Sequence, residues 1–266
     1  MPGAKALTLV RSNASAVPLK YSVIVCAYNE EAYLPGCLHS LFAQTRRPDE
    51  IIVVNNGSSD ATRLVAQRLP GVRVIDEPRP GLVRAREAGR RVAIGDVLVY
   101  LDADCRAPLQ WLERLVASCE RGEPAAVFGC YRFYDWDLKG RALIRLYNWM
   151  VAPLTHFLVQ DLFRLGAMLH GGNFAVRSAV LERVGGFDTL IELHGEDTSL
   201  GRRLTSVGRV RLSQSCWVHT SARRYKAMGR AAVFGLYIRN FLSEILRHRP
   251  SVHPEKAGLP RAIGID

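Results

Sequence analysis

The sequence predicts an α/β fold, with a central, mostly parallel sheet flanked by helices and a C-terminal amphipathic helix. Three observations predict it. Short β-branched apolar runs alternate with helix-patterned segments through the first half of the chain, which implies a parallel sheet with right-handed crossovers. Polar clusters follow two of those runs, Ala27-Tyr28-Asn29-Glu30-Glu31 and Asp102-Ala103-Asp104, at the strand ends outside which open α/β sheets bind ligands. With 266 residues, 48% of them apolar, the chain can bury one sizeable core.

Tyr21 to Cys26 is the first strand, and Glu30 to Ala43 follows with Leu34, Leu38, Leu41 and Phe42 at helical spacing. Glu50 to Val54 reads as the second strand. Ser58, Ser59 and Asp60 are N-cap candidates for a helix to about Leu69, and Val72 to Ile75 is a short third strand. Leu82 to Ile94 is helical, Val97 to Leu101 is the strand that leads into the aspartates, and Pro108 opens another helix at its permitted first turn. If the chain stays extended there, Asp102 and Asp104 point to one side and suit a hard cation such as Mg²⁺ or Mn²⁺. Beyond about residue 130 the pattern changes, and Tyr131 to Leu169 holds Trp136, Trp149 and Pro153 without clean alternation. Ala179 to Val184 and Glu196 to Val207 read as short helices, and Val210 to Val218 as a strand ending at His219. Gly229 to Arg249 reads as a long amphipathic helix with Phe234, Ile238, Phe241 and Ile245 on one face.

The net charge of +11 is unevenly distributed: residues 1–201 carry 23 Lys/Arg against 22 Asp/Glu, and residues 202–266 carry 13 against 3. A basic last quarter points to an anionic partner such as a membrane surface, a lipid phosphate or nucleic acid. The six cysteines form no C-x-x-C pair and no zinc-like cluster, as expected of reduced thiols in the cytosol. Residues 1–20 contain one five-residue apolar stretch, Ala6 to Val10, too short for a signal-peptide core, and read as a loose leader. The uncharged span Leu146 to Gln160 has 15 residues, short of the ~20 needed to cross a bilayer. A soluble or peripheral protein is expected.

Two common nucleotide folds are excluded by missing glycines. The first turn, Cys26 to Glu30, has no G-x-G-x-x-G, and no glycine-rich segment ends in Gly-Lys-Ser or Gly-Lys-Thr. What remains resembles the family 2 glycosyltransferases of the GT-A fold. The resemblance runs from Ser22-Val23-Ile24-Val25 with Tyr28-Asn29-Glu30, through Val53-Val54-Asn55-Asn56-Gly57-Ser58-Ser59-Asp60, Gly81 with Ala85-Arg86, and Leu101-Asp102-Ala103-Asp104. It continues to Gly185-Gly186-Phe187-Asp188 and Gly195-Glu196-Asp197, covering roughly residues 21–220. The order and spacing of these pieces, more than any one of them, carry it.

The resemblance implies a GT-A domain over 21–225, with a nucleotide-binding half to about residue 130 and an acceptor-binding half over 131–225, then a basic helix and tail over 226–266. Ala27, Tyr28, Glu30 and Asn56 would surround the donor nucleoside, Arg84 and Arg86 would lie near its base or phosphates, and Asp102 would face the ribose and the metal. Asp104 would bind Mn²⁺ or Mg²⁺ directly, and His219 resembles the histidine that completes the metal shell in some relatives. Asp197 would be the general base on the acceptor hydroxyl, with Glu196 orienting it, and a base opposite the leaving group implies inversion. Relatives commonly carry Asp where this chain has Asn56, which removes a charge from the base-reading turn. The Gln-x-x-Arg-Trp signature of processive members is missing, so one sugar per encounter is expected.

The expected activity is thus metal-dependent transfer of a single sugar from a UDP- or GDP-sugar to a glycan or lipid-linked acceptor, with peripheral contact to an anionic membrane on its cytoplasmic face and no role for nucleic acid. Two rivals are a non-catalytic nucleotide-sugar-binding scaffold, which would not need Asp197, and a sugar-phosphate nucleotidyltransferase, which would want a glycine-rich basic loop after the first strand. This chain has no such loop.

Overall fold

The structure is a computed structural model and describes residues 18–191, 195–236 and 239. The expected leader lies almost wholly outside these residues, as do Ile238, Phe241 and Ile245 of the expected C-terminal helix. Strands β1 (Tyr21–Ala27), β2 (Glu50–Asn55), β3 (Val72–Asp76) and β4 (Val97–Asp102) alternate with helices α1 (Leu34–Phe42), α2 (Thr62–Gln67) and α3 (Leu82–Val92). Then come α4 (Trp111–Glu120), β5 (Ala126–Phe133), α5 (Leu138–Leu146), a π turn (Tyr147–Val151), α6 (Ala152–His156) and a second π turn (Phe157–Leu162). The chain continues through β6 (Asn173–Arg177), α7 (Ser178–Arg183), α8 (Glu196–Thr205), β7 (Val210–Thr220) and α9 (Arg223–Met228).

The seven strands make one sheet in the order β3-β2-β1-β4-β6-β5-β7. Every pairing is parallel except those of β6, which runs antiparallel to β4 and β5. Apolar side chains fill both faces. On one, Val23, Val25, Val53 and Val99 pack against Leu34, Leu38 and Leu41 of α1 and Trp111, Leu112 and Leu115 of α4. On the other, Ile24, Ile52, Leu98 and Tyr100 meet Val83 and Ala85 of α3, Leu181 of α7 and Leu200 and Leu204 of α8. Burial on both faces is why the parallel strands read as unbroken apolar runs.

Several boundaries differ from expectation for local reasons. Helix α1 begins at Leu34 because the Glu30 carbonyl accepts the Tyr33 and Leu34 amides in a turn at 3.0 and 2.8 Å. Asp60 Oδ1 accepts the Thr62 amide at 2.9 Å, so α2 starts at Thr62. Pro108 is followed by a turn that delays α4 to Trp111. Gly229, at φ +84°, ends α9 and separates it from helical residues 230–236, which begin where the expected C-terminal helix begins. β5 runs across residue 130, so the sheet continues through the expected boundary between halves.

Asn173, fully buried, locks the three strands farthest from β3. Its side-chain amide donates to the carbonyls of Cys130 on β5 and Cys216 on β7 at 3.2 and 2.8 Å, and its oxygen accepts from the Trp111 indole at 3.0 Å. These bonds lie where the β5–β7 register shifts between Gly129 and Tyr131. Asn173→Ala strips partners from buried polar groups, each loss worth about 1–3 kcal/mol. The variant should lose about 3 kcal/mol in urea unfolding; a loss under about 1 kcal/mol would show that the shift closes without it.

Candidate functional site

The parallel register sets Ala27 beside Asn55 and Cys26 beside Asp102, so the carboxyl ends of β1, β2 and β4 form one edge. The loops that leave it are stitched together. Asn29 sits at φ +52°, a conformation asparagine tolerates, and its side-chain oxygen accepts the Ser59 amide at 2.9 Å. The Asn56 amide donates to the Ala27 carbonyl at 2.8 Å, and the Glu30 amide donates to Thr62 Oγ1 at 2.7 Å. Ala27 is buried and Tyr28 is half exposed at the rim.

Asn56 does not present a free amide to a base. Its Nδ2 donates to the carbonyls of Glu77 and Arg79, both at 2.8 Å, and its Oδ1 accepts the Gly81 amide at 2.9 Å. Both donors are spent on the loop before α3, and the structure assigns this residue a loop-holding position. Arg84 lies on the same corner, close enough to Glu77 to help hold that carboxylate below its usual range, behind the hydrogen bonds from Arg79.

The chain does not stay extended through the aspartates: Asp102 ends β4 and Ala103 and Asp104 form a turn. The turn tucks Asp104 inward, where Thr220 Oγ1 donates to it at 3.2 Å and Arg223 Nε lies at 3.4 Å. Arg223 also grips Glu30, its Nη1 donating at 2.9 Å and its Nη2 making a second bond. Burial, with Asp102 and Glu30 nearby, pushes Asp104 up to about 7 against the opposing pull of Arg223. Glu30 is raised too, by burial, with Arg223 opposing.

His219 does not join this group. Thr220 faces Asp104, so by strand alternation its neighbour His219 faces away. The ring packs edge-on to Trp217 at 4.9 Å, and burial with the nearby Arg132 and Arg106 lowers its pKa. Among the described residues no three His, Cys, Asp or Glu side chains are grouped to hold a metal. Asp102 and Asp104 still fit a divalent cation, because Mg²⁺ and Mn²⁺ sites of one or two carboxylates take their remaining oxygens from phosphate and water. Burial beside Asp102 and Glu30 disfavours the charge on Asp104, and a bound cation would relieve that crowding.

The second acidic pair comes from the other half of the chain. Gly195, at φ +99°, turns the backbone into α8, and Glu196 and Asp197 occupy its first turn. Arg86 of α3, 3% exposed, bridges the two pairs: its Nη1 lies 3.2 Å from Glu196 and its Nη2 4.0 Å from Asp102. Asp197 accepts the Thr198 amide at 2.8 Å and a backbone bond from Gly171. Burial and the neighbouring Glu196 raise it to about 7, with Arg86 pulling the other way. Gly171 and Gly172 make the close packing possible, since a Cβ at the first would press on the Arg86 guanidinium and at the second would overlap the Asp102 carboxylate.

Tyr28, Glu30, Arg86, Asp102, Asp104, Glu196 and Asp197 therefore share one edge, whereas Asn56 is spent on its loop and the His219 ring faces elsewhere. Arg223, Thr220 and the Gly171-Gly172 pair are not singled out by sequence patterning. The basic Arg223-Arg224 step directly after the last strand is the one signal for them.

Residues 22–185 match the model of glycosyl transferase family 2. Glycosyltransferase AglE of Haloferax volcanii is 28% identical over 194 residues, 70% of this chain and 62% of that protein. Glucosyl-dolichyl phosphate glucuronosyltransferase of the same organism is 27% identical over 179 residues, 64% of this chain and 56% of that protein. The chain thus spans under two thirds of the length of these relatives. Among solved structures, the mannosyltransferase PcManGT of Pyrobaculum calidifontis, in complex with GDP-Man and Mn²⁺, superposes with a TM-score of 0.63 at 21% identity. That match covers 86% of this chain and 64% of that one, and establishes the GT-A fold.

Removing one partner from a buried ion network typically costs about 3–5 kcal/mol. Arg86→Gln should destabilise the protein by that order at neutral pH and above. The penalty should shrink as pH falls and the raised Asp197 takes up its proton. Urea unfolding at a series of pH values checks this, and a pH-independent loss would contradict the linkage.

Proposed function

The chain belongs to glycosyl transferase family 2, and from that premise we propose that it is a metal-dependent, inverting transferase. It moves one sugar from a UDP- or GDP-sugar to a hydroxyl or phosphate of a glycan or lipid-linked acceptor. The observation that carries this reading is the Arg86 bridge, which holds Asp102 and the Glu196-Asp197 pair together at the carboxyl edge of the sheet.

The donor nucleoside lies over Ala27 and Tyr28, with its diphosphate directed at the turn of Asp102 and Asp104. These two carboxylates would hold the divalent cation, which neutralises the charge that grows on the departing diphosphate and can supply several kcal/mol. Arg223, already cationic beside Asp104, releases its carboxylate partners and turns to a phosphate oxygen. Reading of the base falls to residues other than Asn56, whose amide protons are held by the loop. Mn²⁺ with GDP-Man in a structural neighbour supports the metal and the donor class. The dolichyl phosphate named in a relative supports a lipid-linked acceptor.

Asp197 takes the acceptor proton as the new glycosidic bond forms, while Glu196 and Arg86 fix its position. A base near 7 is half ionised at neutral pH, close to the optimum for proton transfer. Attack from the side opposite the leaving group then inverts the anomeric carbon. Six free cysteines fit a reducing compartment, and the proposed location is the cytoplasm, at the inner face of the membrane.

With Asp197→Asn, donor binding measured by calorimetry with Mn²⁺ should stay near parental while transfer falls about 10²–10⁴-fold. Because the base must be ionised, parental kcat/KM should fall as pH drops through about 7. Parental transfer by the variant would remove the base from Asp197; loss of donor binding would recast the pair as structural. A second expectation separates the metal ligands. Asp104→Asn should lose Mn²⁺-dependent nucleoside diphosphate affinity, whereas His219→Ala should keep it, since that ring lies against Trp217. Loss of affinity in both variants would return His219 to the metal shell.

A further inference from the structure

Residues 138–162 form one continuous helical segment whose inner face repeats every fourth residue or so: Gly140, Ile144, Ala152, His156 and Val159 are buried. Four exceeds the 3.6 residues of an α turn, and the two wide π turns absorb the difference, keeping one stripe against the sheet. The opposite face stays in solvent and is strongly apolar. Leu146, Met150 and Leu154 (58% exposed) line it, Trp149 (71%) and Phe157 stand at its margin above a groove shared with Arg209, Arg211 and Gln214, and Phe163 (61%) follows just past the helix end. A contiguous apolar surface of this kind marks an interaction site.

Charge identifies the partner. Lys139, Arg145 and Arg164 are exposed along the same segment, whereas the Arg141 guanidinium donates to the carbonyls of Trp136 and Tyr134 at 2.8 and 3.1 Å. Its acidic residues are already engaged, Asp137 by Arg230 at 2.8 Å and Asp161 by Arg209 at 2.6 Å. A second copy of the chain would bring a patch of the same positive sign against this one, because a two-fold interface uses the same surface on both subunits. An anionic bilayer complements both the apolar ridge and its basic margin. Among the described residues no helix is long and apolar enough to cross a membrane.

We infer that residues 138–165 are a membrane-docking surface that lies in the headgroup region of an anionic bilayer. Trp149, Phe157 and Phe163 insert their rings, and Arg145 and Arg164 contact lipid phosphates. The segment is tied to the candidate site at both ends. It leaves just after Tyr134, whose hydroxyl donates to the Asp104 carbonyl at 3.5 Å, and returns through Leu169 to the Gly171-Gly172 pair beside Arg86 and Asp102. Docking would therefore bring the cleft edge toward the headgroup layer. This stands whether or not the proposed chemistry is correct, because it needs neither donor nor metal.

The test is flotation of the full chain with vesicles of phosphatidylcholine alone or mixed with phosphatidylglycerol. The parent should bind the mixed vesicles, and added salt should weaken binding by screening. The triple variant Leu146→Ser, Trp149→Ser and Phe157→Ser, all at exposed positions, should keep its thermal midpoint and lose about tenfold or more in partition. The double variant Arg145→Glu and Arg164→Glu should lose selectivity for the anionic lipid. A parent that ignores vesicles, a folded triple variant that binds like the parent, or a parent dimer that the triple variant dissolves would each overturn the inference.

Discussion

The candidate site depends on one buried guanidinium. Arg86 sits on α3 with almost no exposure, and a charge so placed is tolerated only with counter-charges in reach. Asp102 comes from the end of β4 and Glu196 from the start of α8, which lie in different halves of the chain. Neither half can satisfy Arg86 alone, so the ion network forms only when α8 has docked on the sheet. The same network sets proton affinities: the burial that raises Asp197 is opposed by Arg86, which holds it near neutrality.

Close packing around Arg86 requires residues without side chains. Gly171 and Gly172 pass within contact distance of the guanidinium and of Asp102, just before Asn173 turns the chain into the antiparallel strand β6. That strand is wedged between β4 and β5, and its reversed direction brings the glycine pair to the carboxyl edge where Asp102 lies. A fully parallel sheet would deliver the start of β6 to the opposite edge. The reversal thus brings the end of β4 and the start of α8 to one edge, next to the return of the chain from residues 138–165.

The first half of the fold was legible because its strands are short β-branched runs between helices of regular period, and their ends fell within two residues of expectation at Tyr21–Ala27, Glu50–Asn55, Val72–Asp76 and Val97–Asp102. β5 and β6 were not legible. Gly129 and Arg132 interrupt the apolar run of Ala126–Phe133, and Asn173–Arg177 has only three apolar residues between polar ends, too few to mark a strand. The helix over 138–162 was hidden for a different reason, since its stripe follows a period of about four that π turns create. Position after an apolar strand pointed to Asp102 and Asp104, and resemblance to a family supplied Glu30, Glu196 and Asp197, but neither could foresee local competition. Asn56 is consumed by the loop it holds, Asp104 is turned inward, and Arg223, not His219, lies beside Asp104. Alternation along β7 decides the last point, because only one of Thr220 and His219 can face the aspartate.

The central claim is that this edge binds a nucleotide-linked sugar through a cation held by Asp102 and Asp104. A thermal-shift panel of UDP- and GDP-sugars, run with and without Mn²⁺, measures it without knowledge of the acceptor. The account predicts that at least one donor raises the unfolding midpoint only when Mn²⁺ is present, by the equivalent of about 2.7 kcal/mol at 100 times its dissociation constant. A panel in which no nucleotide sugar shifts the midpoint with Mn²⁺, or in which the shift is equal without it, would contradict the account.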